Sequence, residues 1–279
     1  MLSYLHGYHA GNFADLHKHH LLVCLLTALN RKDKPWNYLE THAGKAHYSL
    51  GSEESEKTAE YREGIARLWS QQGLPDSVAV YLEQIRAVNP EGRLDFYPGS
   101  PALAAGMARE ADRLHLMELH PGEVQQLKQA FNGRTDVAVH HRDGYEGVLA
   151  LLPPRPNRGL VLIDPSYEVK SEYDQVAAFL PKALKRWPNG CYAVWYPLLP
   201  AGRWKMMVES IRRSGIRNIL RSELWVRNAS DQGMYGSGML IINPPWPLAD
   251  TLQQSEPWLA ECLAQDTGAG QSISWLVEE

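Results

Sequence analysis

Gly159-Leu160-Val161-Leu162-Ile163-Asp164-Pro165-Ser166-Tyr167 carries an unbroken apolar run straight into an acid, a proline, a hydroxyl and an aromatic ring. Such a run reads as a strand buried on both faces, as in a parallel sheet covered by helices. Working outward, further strands are predicted at residues 37–41, 113–118, 137–141 and 191–195. Helical spacing fits 15–30, 101–110, 122–132, 173–186 and 202–214 between them. Residues 217–226 and 237–242 are strand-like, separated only by a polar stretch, and are expected to pair antiparallel. Five helix-linked strands followed by a hairpin predict an α/β, doubly wound mixed sheet of seven strands. Residues 248–265 read as a helix, and 272–277 as a short closing strand. The long interval after residue 41 breaks the alternation. Residues 51–96 therefore read as an inserted helical subdomain, with helices at 53–70 and 77–88, and residues 1–50 and 97–279 as the core domain.

Composition narrows the function. The 279 residues hold 28 Lys+Arg against 32 Asp+Glu, a formal net charge of -4, which argues against a protein that coats nucleic acid. Charge is segregated, however. Residues 201–227 hold seven basic side chains and two acids, while residues 250–279 hold six acids and no Lys or Arg. Cys24, Cys191 and Cys262 are far apart and form no metal-type pair, so free thiols are expected. Residues 1–9 lack the apolar core of a signal peptide, and the apolar run at 21–29 is too short to span a bilayer. A soluble, cytoplasmic protein without membrane contact is expected.

Ligands of an open α/β sheet bind beyond the carboxyl ends of the strands, where Asp164 falls. Asp164-Pro165-Ser166-Tyr167 differs by one residue from Asp-Pro-Pro-Tyr, the signature of enzymes that methylate exocyclic amino groups of bases. Such an amine is a poor nucleophile because its lone pair is delocalised into the ring. A carboxylate accepting one N–H, with the Pro165 carbonyl accepting the other, favours a tetrahedral nitrogen whose lone pair faces the electrophile. Tyr167 is expected to stack on the presented base. With S-adenosylmethionine as donor, no general acid is needed, and in-line positioning supplies much of the rate. An Asp-Pro turn that merely ends a strand is the plain alternative. Asn243-Pro244-Pro245-Trp246 resembles the same signature but follows an antiparallel strand, whose end is expected away from the cofactor.

Other strand ends carry suitable groups. Tyr38-Leu39-Glu40-Thr41-His42-Ala43-Gly44 has the form of a first strand running into a cofactor turn, although a single glycine is a weak signal. Glu118, at the tip of the second strand, is placed to bind ribose hydroxyls. Asp143 ends the third strand, where it can accept from an adenine amino group, and Gly144 permits close approach to the ring. Ser100 reads as a helix N-cap before Pro101, with a hydroxyl that could equally face a ligand. His6, His9, His17, His19 and His20 crowd around Lys18, a pattern read as a cationic edge for an anionic group such as the methionyl carboxylate. No carboxylate or cysteine spacing supports a metal site there.

Taken together, the chain resembles the bacterial 23S ribosomal RNA (adenine-2030-N6)-methyltransferase J family nearly end to end. The matching stretches include His9-Ala10-Gly11-Asn12, Lys18-His19, Thr41-His42-Ala43-Gly44, Tyr97-Pro98-Gly99-Ser100-Pro101, Glu118-Leu119-His120-Pro121, Asp143-Gly144, Ile163-Asp164-Pro165, Trp195-Tyr196-Pro197 and Ser237-Gly238-Met239. The resemblance implies a Rossmann-like class I methyltransferase fold, S-adenosylmethionine as donor and one adenine of 23S ribosomal RNA as target. It places cofactor contacts on Lys18, His19, His42, Ser100, Glu118, Asp143, Gly144 and Asp164, the catalytic carboxylate on Asp164 as well, and an approach to substrate RNA on Tyr4. A monomer is expected. The chain departs from the family pattern at Glu40, at Lys45-Ala46-His47 and at Ser166. Methylation of guanine N2 or of a DNA adenine is the nearest alternative, and a non-catalytic RNA-binding or ribosome-assembly protein is the other.

Overall fold

The computed structural model describes residues 5–229 and 233–279, so the expected RNA contact at Tyr4 lies outside the described residues. In chain order, α1 (Phe13–Asn30) leads into β1 (Asn37–Glu40). β2 (His47–Ser49) precedes α2 (Glu53–Thr58), a 3-10 turn at Glu60–Glu63, α3 (Ile65–Trp69) and α4 (Asp76–Ala87); β3 (Phe96–Pro98) then pairs back onto β2. The remainder runs α5 (Ser100–Met107), β4 (Arg113–Glu118), α6 (Pro121–Ala130), β5 (Val137–His141), α7 (Gly144–Leu151), β6 (Gly159–Ile163), α8 (Glu172–Arg186) and β7 (Cys191–Leu198). It closes with α9 (Arg203–Arg213), β8 (Ile219–Trp225), β9 (Gly236–Ile242), α10 (Leu248–Leu263) and β10 (Gly270–Val277).

The apolar run of β6 sits inside the sheet with all of its residues buried. Leu160 and Leu162 face the layer containing α1, while Val161 and Ile163 face α8 and α9, as the pleat requires. The strand order is β5-β4-β1-β6-β7-β9-β8-β10. The five strands from β5 to β7 are parallel, and β9 enters antiparallel between β7 and β8. This is the Rossmann-like methyltransferase sheet. It carries eight strands rather than seven, because the closing segment pairs along β8 and joins the same sheet.

Helix α1 is buried on nearly every side and is surrounded by α4, α5, α10 and β9. Its start is set by Asn12, whose side-chain oxygen accepts the N–H groups of Ala14 and Asp15, both at 2.9 Å. No helix among the described residues is long and apolar enough to cross a membrane. Cys24, Cys191 and Cys262 are free thiols.

Three local features differ from the sequence reading. The β2–β3 ribbon was not anticipated, because its strands are three residues long and one holds Pro98. Helix α7 was missed because Asp143-Gly144 reads as a turn. The single helix expected at 53–70 is broken. Ala59 takes a left-handed conformation, φ 52°, and Gly64 meets the turn before α1. The Gly11 carbonyl accepts the N–H of Ile65 at 2.8 Å, and a Cβ on Gly64 would fall 2.0 Å from that same oxygen. The helical segment is thus stitched to the turn before α1, and its side chains Ile65, Leu68, Val78 and Tyr81 join the α1 core.

Gly64→Ala therefore forces backbone apart at this seam. A loss of about 1–3 kcal/mol is expected, the usual cost of overpacking a close contact, read as a lower urea midpoint. An unchanged midpoint would show that the seam does not hold the segment.

Candidate active site

A cavity of about 360 Å³ opens at the carboxyl ends of the parallel strands, within the usual size of small-molecule sites, ~300–1,000 Å³. Lys18, His19, His42, Ser100, Glu118, Asp143, Gly144, Asp164 and Pro165 all line it. Parallel strands with their crossovers all deliver their C-terminal residues to one edge, which brings these distant positions together.

Glu118 is fixed at the tip of β4 by two backbone donors. Its oxygens accept the N–H of Gly44 at 2.7 Å and of His120 at 2.6 Å, so it also pins the loop after β1. Asp143 caps α7, one oxygen accepting the Glu146 N–H at 2.9 Å. Gly144 also answers to packing: a Cβ there would lie 1.9 Å from the Thr41 carbonyl oxygen, so the glycine admits the end of β1. Ser100 does not cap α5; that place belongs to Gly99, and Ser100 is the first helical residue. Its hydroxyl donates instead to Glu40 Oε1 at 2.5 Å.

Glu40 is fully buried, and burial pushes its carboxyl up to about 8, so it holds its proton at neutral pH. Burial likewise lowers His42 to about 4, leaving a neutral ring whose Nδ1 hydrogen-bonds Thr41 Oγ1 at 2.8 Å. Of the histidines around Lys18, His19 and His20 bring no positive charge to the expected edge. Burial lowers both His19 and His20 to about 3, and their rings bond Tyr97 and Ser77 at 2.7 and 2.9 Å. His17 is held between Ser222 and Ser237.

Lys18 faces the loop that carries Asp164. Its ammonium donates to Asp164 Oδ2 at 2.6 Å and to Asp15 Oδ1 at 3.1 Å, with only 5% of the side chain exposed. Ala14-Asp15 is one of the stretches that match the family, but no role for Asp15 was read from the sequence. Burial alone would raise its carboxyl, but His6 and Lys18 outweigh that and hold it well below the usual carboxylate range. Its Oδ2 accepts from His6 Nε2 at 2.8 Å and from the Gly11 N–H at 2.9 Å. The i,i+3 spacing of Asp15 and Lys18 was the available signal.

Tyr167 is not where the sequence reading put it. It adopts a left-handed backbone, φ 57°, and is 6% exposed. Its ring lies 4.4 Å from that of Tyr173, and its hydroxyl donates to the Trp195 carbonyl at 2.7 Å. It is absent from the cavity lining and anchors the Asp164 loop rather than offering a face to a base. Asn243 closes the opposite edge of the sheet, its amide donating to the carbonyls of Pro188 and Gly190 at 2.8 and 2.9 Å. The second Asn-Pro-Pro-Trp signature therefore plays no part in this cavity.

The lining suits a ligand rich in hydroxyl and amino donors. Glu118 and Asp143 supply carboxylates, and Glu123 Oε2 is buried on the same wall without a hydrogen-bond partner among the described residues. Gly44, at φ 60°, leaves room that a Cβ would take, 2.7 Å from the Tyr48 hydroxyl. A nucleoside with a charged tail fits this set.

The protonated state of Glu40 makes a pH-dependent contribution. Its folded value of about 8 exceeds its ordinary 4.5, so the folded state binds more protons between those limits. Stability from this group is full below pH 4.5 and falls as pH rises toward 8. In urea unfolding, Glu40→Gln should gain on the wild-type protein steadily from about pH 5 to pH 8. A difference that does not vary with pH would refute burial of a protonated Glu40.

A family model described as ribosomal RNA large subunit methyltransferase D, RlmJ, matches residues 33–277. The curated "Ribosomal RNA large subunit methyltransferase J" of Escherichia coli (strain K12) is 43% identical over 280 residues, covering 100% of both chains. The protein of the same name from Haemophilus influenzae (strain ATCC 51907 / DSM 11121 / KW20 / Rd) is 44% identical over 281 residues, again covering 100% of both. The crystal structure of a Legionella pneumophila str. Philadelphia 1 protein is 36% identical and superposes with a TM-score of 0.89, covering 96% of this chain and 98% of that one. By sequence along its whole length and by the sheet that carries the cavity, the chain belongs to the ribosomal RNA large subunit methyltransferase J family.

Proposed function

We propose that this protein transfers the methyl group of S-adenosylmethionine to the N6 amino group of a single adenine of 23S ribosomal RNA, adenine 2030 by the family resemblance. Methyl transfer to large-subunit ribosomal RNA follows from family membership. The finer reading is carried by one observation: Asp164 and Pro165 leave the buried strand β6 together and line the same cavity as Glu118 and Asp143.

When bound, S-adenosylmethionine supplies an electrophilic methyl group on a sulfonium that departs without protonation. The work left to the chain is positioning. Glu118 is suited to ribose hydroxyls and Asp143 to an adenine amino group. Lys18 orients Asp164 through Oδ2, leaving the other oxygen for one N–H of the target amine. The Pro165 carbonyl takes the second N–H, and the two acceptors bias the nitrogen toward a tetrahedral shape. Neither group must act as a general acid. The basic stretch at 201–227 contributes less free charge than its composition suggests, because Arg212 and Arg213 both pair with Glu209. In this reading the enzyme works as a cytoplasmic monomer.

The test uses 23S ribosomal RNA from cells lacking the protein, labelled in vitro and mapped by mass. A single N6-methyladenine is expected with wild-type protein. Asp164→Ala should lose at least ~10²-fold in kcat, the scale of removing a preorganised transition-state contact. Its affinity for S-adenosylmethionine should persist within a few-fold. Methyl on guanine, or near-normal turnover by Asp164→Ala, would overturn the assignment. Failure of the wild-type protein to bind S-adenosylmethionine in calorimetry would favour a non-catalytic RNA-binding protein.

A further inference from the structure

With Tyr167 buried, the substrate side of the cavity needs another aromatic surface. We propose that Trp195 is the residue against which the target base stacks. This inference rests on the reading that the base is presented to Asp164.

Trp195 stands on β7, the strand beside β6, and its side chain lines the cavity together with Asp164, Pro165 and Ser166. The Lys18 ammonium lies 5.5 Å from the centre of its ring and 2.6 Å from Asp164 Oδ2, so one cation touches both the ring and the carboxylate. Pro197, Leu199 and Met234 extend the apolar wall on this side. A base whose amino edge meets Asp164 and the Pro165 carbonyl would then find an indole within one side chain's reach. An indole offers a large π-face, and base–aromatic stacking tolerates imperfect register.

The ring is also held in place to a degree that packing alone would not require. Its Nε1 donates to Ser237 Oγ at 2.9 Å. The Ser237 hydroxyl bonds His17 Nδ1 at 2.9 Å, and His17 Nε2 bonds Ser222 Oγ at 2.8 Å. The Ser222 hydroxyl donates to Glu256 Oε1 at 2.5 Å. One tautomer, with the proton on Nε2, satisfies every one of these links. His17, Ser222, Ser237 and Glu256 are all fully buried and come from α1, β8, β9 and α10. Four elements thus contribute polar side chains to a chain of hydrogen bonds that ends on one indole N–H. Buried polar chains of this kind fix the geometry of the groups they link, and every link from the indole to Glu256 Oε1 is made, while Glu256 Oε2 has no hydrogen-bond partner among the described residues. The Tyr167 hydroxyl, bonded to the Trp195 carbonyl, ties the Asp164 loop to the same residue. Ser237, His17 and Tyr167 are accordingly positioning residues that act through Trp195 and the loop.

The test compares Trp195→Ala, Trp195→Phe and Ser237→Ala on 23S ribosomal RNA from cells lacking the protein. Trp195→Ala should lose ~10–100-fold in kcat/KM, the range of one base stacked on one ring, with S-adenosylmethionine affinity within ~2-fold of wild type. Trp195→Phe should recover most of that loss. Ser237→Ala should lose a smaller factor, and adding it to Trp195→Ala should cost nothing further, because both act on one ring. An RNA fragment with 8-vinyladenine, a fluorescent base that keeps the 6-amino group, at the target position supplies a signal that a merely structural role would not move: its fluorescence should be quenched by wild-type protein and brighter with Trp195→Ala. Activity of Trp195→Ala within ~3-fold of an active wild type, or unchanged 8-vinyladenine fluorescence, would overturn the assignment to Trp195 alone. A wild-type protein that methylates no base of this RNA would overturn the adenine reading and Trp195 with it.

Discussion

One buried ammonium joins the two halves of this site. Lys18 reaches from α1 to bridge Asp15 on its own helix and Asp164 at the end of β6. Asp15 in turn holds the Gly11 N–H and the His6 ring, so Lys18 links the segment before α1 to the loop that carries Asp164. Removing one partner of such a buried pair typically costs about 3–5 kcal/mol, because the group left behind is an uncompensated charge. The arrangement explains why α1, which looks like an ordinary apolar helix, carries five polar side chains into the interior: Asp15, His17, Lys18, His19 and His20 are all buried.

The rest of the site is built by close approach of backbone. Thr41 reaches so near Gly144 that no side chain fits between them, and the Gly11 carbonyl reaches equally near Gly64. Glu118 uses both oxygens on backbone N–H groups, which places the loop after β1 against the tip of β4. Charge is handled in the same economical way. Glu40 and His42 flank the first strand end as neutral groups, because burial favours the uncharged form of each. Glu40 and His42 thus add no charge beside the Lys18, Asp15 and Asp164 cluster.

Much of the fold was legible because its signals are local. An apolar run such as Leu160–Ile163, short and bounded by Gly159 and Pro165, reads as a buried strand, and helical spacing between such runs implies parallel crossovers. Glu118, Asp143 and Asp164 were found because acids at strand ends fall on one edge of any sheet of this type. What escaped had no local signal. The break at Ala59 and Gly64 answers to a carbonyl on Gly11, far away in sequence. Helix α7 hides behind an Asp-Gly pair, and β2–β3 is too short to show periodicity.

The amino-acid sequence by itself determined the layers, the succession of helix-linked strands up to the terminal hairpin, the family and the carboxylates at the strand ends. Each of these depends on residue type and spacing along a few neighbouring turns or strands. Only the tertiary structure decided which polar groups carry charge and which aromatic faces the cavity. Burial holds Glu40, His19, His20 and His42 neutral, while its partners hold Asp15 ionised. Tyr167, the aromatic of the signature, turns inward between Tyr173 and Trp195, while Trp195 reaches the cavity from the next strand. Desolvation and packing are properties of the surroundings, and the surroundings of these residues are assembled from elements that the chain brings together only on folding.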